Sequence, residues 1–119
     1  MKRDMDLIRH LLLAIEDRPW PDSEALITAS GYSQDQTFYH LRLAADAGLI
    51  EGMDMSSARG RHFKIRRMTW EGHEFIELAR DDERWQRVKA ELAKAGCFQF
   101  DIVTALLVEA VKCETGPMN

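Results

Sequence analysis

Two stretches constrain the fold of this chain most: GYSQDQTFYHLRLAADAGLI, from Gly31 to Ile50, and RGRHFKIRRMTWEGHEF, from Arg59 to Phe75. In order they read as a turn, a capped helix, a short strand, a charged hairpin and another capped helix. Ser33 and Gln36 have capping-box spacing, in which each side chain satisfies an orphan backbone N–H at a helix start. The helix that follows runs to about Ala47, and Gly48 ends it. Thr37, Leu41, Ala44 and Ala45 form its buried stripe. Gln34, Asp35, Tyr39, Arg42 and Asp46 form its exposed face, with Gln36, Phe38 and His40 at the borders. Leu49 and Ile50 open a strand. Gly52, Ser56, Ser57 and Gly60 suit a hairpin turn, and the chain returns from His62 to Met68. Strict alternation there would point Arg67 inward and Met68 outward. A bulge or an early strand end is expected, because Met68 is the better core residue.

The flanks extend this plan. Asp4 can cap a first helix ending near Asp17, with Met5, Ile8, Leu11, Leu12 and Ile15 on one apolar face. Pro19 and Pro21 stop it. Asp22 or Ser23 can start a short second helix through Ser30, carrying Ala25, Leu26 and Ala29 inward. Thr69 caps a helix with Trp70, Phe75, Ile76 and Ala79 as packing candidates. Asp81-Asp82-Glu83 starts another, carrying Trp85, Val88 and Leu92 and ended by Gly96. Asp101 opens the last, with Ile102, Ala105, Leu106 and Ala110 as its stripe.

The expected fold is therefore α+β and mainly α. It is a winged helix-turn-helix with a small antiparallel wing of two or three strands and additional C-terminal helices. With 119 residues, 45% of them hydrophobic, it reads as one domain able to bury a core without staples. Residues 1–69 make the core and wing, and residues 70–119 the helical extension. No apolar run approaches the roughly 20 residues that span a bilayer, and the charged start does not read as a signal peptide. Cys97 and Cys113 form no C-x-x-C pair and read as packing thiols of a reducing, cytoplasmic protein.

The charge distribution is uneven. The net charge is −4. Residues 53–70 carry Arg59, Arg61, Lys64, Arg66 and Arg67 against Asp54 alone, while both flanking segments are acidic. A local basic patch steers toward phosphate, and the acidic remainder suppresses indiscriminate binding.

The strings MKRDMDLIRHLLLAIE, GYSQDQTFYHLRLAADAGLI and MTWEGHEFIELARDDERW resemble the bacterial and prophage family Domain of Unknown Function 2513. The resemblance covers nearly the whole chain. It implies a small winged-helix-like unit and carries no activity, cofactor or catalytic residue. HLRLAADAGLI is also similar to the end of the recognition helix in many winged-helix regulators. Phe38 and Tyr39 stand where those regulators usually place small or polar base-reading residues.

Two functions are expected from this plan. The first is non-catalytic binding of double-stranded DNA, as a bacterial or prophage transcriptional regulator. The third helix would enter the major groove and offer Gln34, Gln36, Tyr39 and Arg42. Arg59, Arg61, Lys64 and Arg66 of the wing would neutralise phosphates. The alternative is a protein-interaction module that binds or inhibits a host protein through Phe38 and Tyr39, with Trp20 as a further anchor. The helices at 81–95 and 101–113 suit a homodimer. No catalytic set is read. Glu71, His73, Glu74 and Glu77 lack the second histidine of H-E-x-x-H, and His10, His40 and His62 lie in separate elements. No metal or cofactor site is expected.

Overall fold

The computed structural model describes residues 1–18, 29–96 and 98–115. These form five helices and one two-stranded antiparallel sheet: α1 (Met5–Glu16), α2 (Gln34–Asp46), β1 (Ile50–Asp54), β2 (Phe63–Met68), α3 (Trp70–Ala79), α4 (Asp82–Ala95) and α5 (Phe100–Thr115). The architecture is α+β and mainly α. The second helix expected over residues 22–30, and Trp20, lie outside the described residues, save for Ala29 and Ser30, which are not helical. Two compact units are present, one covering Met1–Glu74 and the other beginning at Phe75.

In the first unit, α1 forms where its apolar spacing demands. Met5, Ile8, Leu11, Leu12 and Ile15 are all buried, together with Leu7. Asp4 is the N-cap, and its Oδ1 accepts from the backbone N–H groups of Asp6 at 2.9 Å and Leu7 at 3.3 Å. The same residue ties in two distant segments. Its Oδ2 accepts from the Tyr32 hydroxyl at 3.0 Å, and its backbone N–H donates to His40 Nε2 at 2.8 Å. His40 is 1% exposed, and its Nδ1 lies 2.7 Å from the Gln36 carbonyl. A carbonyl only accepts, so Nδ1 carries the hydrogen, and Nε2 is the acceptor of the Asp4 N–H.

This arrangement raises the Tyr32 phenol above its usual range. The hydrogen bond to Asp4 is the main cause, followed by burial and the negative charges of Asp4 and Asp6. The native state holds the neutral phenol. That contribution to stability is complete below the ordinary value of about 10 and is lost as pH rises through the raised one. Tyr32→Phe should therefore remove a tyrosinate absorbance step lying above the ordinary range. A lost step centred at the ordinary tyrosine value would contradict the Asp4 pairing.

α2 has the capping box its sequence announces. Ser33 Oγ accepts from Gln36 N–H at 3.0 Å, and Gln36 Oε1 accepts from Ser33 N–H at 2.8 Å. Thr37, Leu41 and Ala44 are buried, whereas Ala45 is half-buried. Phe38 and His40, expected at the borders, are fully within the buried set.

The sheet pairs Ile50 with Met68 and Glu51 with Arg67, then Gly52 with Ile65. Arg66 is thus the extra residue of a β-bulge. The bulge turns Arg66 and Arg67 outward together and returns Met68 to the interior at 7% exposure. The physical reason is that burying Met68 outweighs keeping the ladder regular. Gly52 is needed opposite it, because an added Cβ would lie 2.5 Å from both the Lys64 carbonyl oxygen and Phe63 Cε1. Thr69 closes the unit by accepting from Gly72 N–H at 3.0 Å and donating to the Gly48 carbonyl at 2.5 Å.

In the second unit, Asp81 caps α4 by accepting from Arg84 N–H, and Gly96 ends it in the left-handed conformation. Trp85, Val88 and Leu92 are buried as their spacing requires. Phe75 meets Trp85 edge-on at 6.3 Å and lies tilted against Phe100 at 5.3 Å. The α5 stripe differs from the expected one. Val103 and Leu107 are fully buried, while Ile102 and Ala105 are exposed and Leu106 and Ala110 are half-buried. α5 is apolar nearly all round, so its sequence does not single out an inward face. Arg84 and Arg87 of α4 both bond Glu114 of α5, and the Glu114 carboxylate holds the Arg84 guanidinium above its ordinary value.

Trp70 is a second correction. It is 73% exposed, and its indole N–H donates to Glu74 one turn along α3. The inward positions of that helix belong to Phe75, Ile76 and Ala79.

Candidate functional site

The cations singled out from the sequence gather on the β1–β2 hairpin beside α2. Beyond the strands, Met55 N–H donates to the His62 carbonyl, and Ser57 and Gly60 exchange backbone hydrogen bonds at 2.9 and 3.0 Å. Ala58 and Arg59 are therefore the two residues of the turn, and Arg59 stands at the hairpin tip. Its N–H donates to Ser57 Oγ at 3.2 Å. Asp54 accepts from Ser56 N–H at 2.8 Å, and Ser56 Oγ accepts from His62 N–H at 3.1 Å, so side chains brace the turn from within. The bonds from Ser56 hold the Asp54 carboxyl below its ordinary value, with smaller help from the charges of Arg42 and Arg61.

The hairpin is joined to α2 by aromatic and ionic contacts. Phe38 meets Phe63 edge-on, with centroids 6.3 Å apart. The Arg61 guanidinium lies over the Phe38 ring at 5.5 Å and reaches Asp35 Oδ1 at 3.5 Å. Phe38 is thus a packing residue, 7% exposed, and not a surface anchor. Tyr39 is 38% exposed. A shallow open groove of about 370 Å³ is lined by Ala45, Ile50, Glu51, Gly52, Met53 and Arg66.

The eight expected contact residues separate into three groups. Gln34, Tyr39 and Arg42 lie on the exposed face of α2, and Arg59, Lys64 and Arg66 are exposed on the hairpin. None of these four cations has an ion-pair partner among the described residues. Gln36 is committed to the capping box, which withdraws its side-chain oxygen from recognition. Arg61 is paired with Asp35. Arg67, also exposed, is held by Glu51 through two bonds of 3.1 and 2.7 Å. Sequence reading missed the Arg61–Asp35 pair, since nothing local links positions so far apart in the chain.

Among the described residues, no group of three or more His, Cys, Asp or Glu side chains is placed to hold a metal ion. None of their helices is long and apolar enough to cross a membrane.

These elements define a small, mainly helical α+β protein with an exposed basic hairpin set against a helix of mixed polar character. The chain belongs to the DUF2513 family, described as a hypothetical protein family, whose profile matches residues 2–98. It is similar to an uncharacterized protein of Haemophilus influenzae, with 36% identity over 93 residues, which covers 77% of this chain and 79% of that protein. No solved structure matches it significantly.

Proposed function

We propose that this is a non-catalytic duplex-DNA-binding protein of the winged helix-turn-helix kind, with α2 as recognition helix and the β1–β2 hairpin as wing. The observation that carries the reading is the side-by-side exposure of two sets of groups. Gln34, Tyr39 and Arg42 would face base edges and nearby phosphates. Arg59, Lys64 and Arg66 lack ion-pair partners among the described residues and would face the backbone. The bulge supports this reading by turning Arg66 outward. In this reading the protein acts in the cytoplasm of a bacterium, as a chromosomal or prophage regulator.

The test is selection from a random duplex pool, with an Arg59/Lys64/Arg66 triple-alanine variant alongside. Wild type should enrich a motif, and the variant should lose it. With three phosphate contacts removed, the logarithmic salt slope should flatten by about 2.7. No enrichment from a folded sample at low salt would overturn the proposal. A two-fold symmetric motif would add self-association through α4 and α5.

A protein partner is the second reading, favoured by the exposure of Tyr39 among polar neighbours. Tyr39→Ala would then weaken capture of that partner with little salt dependence.

A further inference from the structure

We infer that Asp35 and Arg61 form an ion-exchange latch that sets how strongly the α2–hairpin face holds phosphate. This inference rests on the DNA-binding reading. Asp35 is the second residue of α2, on its exposed face. Arg61 is the hairpin cation that contacts α2, through the Asp35 carboxylate at 3.5 Å and the Phe38 ring at 5.5 Å. Phe38 is in turn braced edge-on by Phe63 from β2. The guanidinium is therefore aimed by a buried aromatic and neutralised by a carboxylate, while both charged groups remain well exposed.

Such a cation differs from Arg59, Lys64 and Arg66. When a free cation meets a phosphate, the counterion condensed on the nucleic acid is released, and binding becomes steeply salt-dependent. When Arg61 turns from Asp35 to a phosphate, it leaves a bare carboxylate beside the same backbone. With that carboxylate beside the same backbone, the pair presents no net charge to the polyanion and adds little to counterion release. Asp35 thus subtracts one effective charge from the face. It lowers affinity for any duplex at low salt and leaves discrimination to the base-facing groups. Asp54 of the hairpin feels the charge of Arg61 as well as that of Arg42, but the carboxylate within ion-pair distance of Arg61 is that of Asp35.

The experiment measures binding of a mixed-sequence duplex across a salt series, for wild type, Asp35→Asn, Arg61→Ala and the double variant. Asparagine keeps the size of the side chain, and thermal melts confirm that each variant is folded. Asp35→Asn should tighten low-salt binding roughly fivefold, the scale of one exposed ion pair, and steepen the salt slope by about 0.9. Arg61→Ala should leave the wild-type slope unchanged but cancel the steepening in the Asp35→Asn background. The latch is overturned alone if wild type binds through Arg59, Lys64 and Arg66 yet Asp35→Asn changes neither affinity nor slope. It is also overturned if Arg61→Ala flattens the wild-type slope. Absence of duplex binding by every folded variant overturns both the latch and the reading beneath it.

Discussion

Gly72→Ala should destabilise the protein by about 1–3 kcal/mol or more, although the residue sits in a helix. Local reasoning gives the opposite sign, because alanine in a helix is favoured over glycine by about 1 kcal/mol. The tertiary environment reverses it. A Cβ on Gly72 would lie 2.1 Å from the Leu49 carbonyl oxygen, 2.6 Å from Met68 Cγ and 3.0 Å from the Leu49 carbonyl carbon. Two of those three atoms are backbone. They cannot swing aside without moving the junction of α2 and β1, where Leu49 N–H is bonded to the Ala44 carbonyl and Thr69 N–H to the Leu49 carbonyl. The first turn of α3 would also be pushed from Thr69 Oγ1, which accepts the Gly72 N–H. Urea unfolding of the two proteins decides the matter. A variant as stable as wild type would mean that α3 does not approach Leu49 this closely.

Trp85→Ala should cost about 3–5 kcal/mol, a large part of the 5–15 kcal/mol that holds a typical domain folded. Trp85 is fully buried, and its ring meets Phe75 edge-on at an interplanar angle of 88°. Removing it takes away the largest fully buried side chain among the described residues and leaves a cavity on the face of α4 that also buries Val88 and Leu92. Trp70→Ala is the matched comparison and should stay within about 0.5 kcal/mol, since Trp70 is 73% exposed. Hydrogen exchange adds a location to the effect: amides of α4 and α5 should lose protection in Trp85→Ala and keep it in Trp70→Ala. Equal costs for the two tryptophans would contradict the burial that separates them.

That pair illustrates what was legible in the sequence. Both tryptophans stand near a helix start among mostly polar and charged residues, and both read as packing candidates. Only the rotation of each helix against its neighbours distinguishes them. The same holds for α5, where apolar residues on every side allowed an Ile102–Ala105–Leu106–Ala110 stripe, while burial fell on Val103 and Leu107. For the candidate site, the exposed face of α2 was legible from helical spacing and the basic hairpin from a local run of cations. The pairing of Arg61 with Asp35 and the burial of Phe38 beneath it were not, because they depend on how the hairpin lies on the helix.

What the sequence determined by itself is therefore local. Asp4, the Ser33–Gln36 box, Thr69, Asp81 and Gly96 mark helix ends because capping acts within a few residues. An irregularity at Arg67 and Met68, either a bulge or an early strand end, was legible too, because strict alternation would have buried Arg67 and exposed Met68, while the tertiary structure made it a bulge at Arg66. The tertiary structure decided which of several equivalent apolar faces turns inward and which cations are paired. It also decided that Asp4, Tyr32 and His40 meet although they are far apart in the chain. Those outcomes come from contacts between distant segments, and their strength depends on burial and on distances of a few ångströms that no short window of sequence specifies.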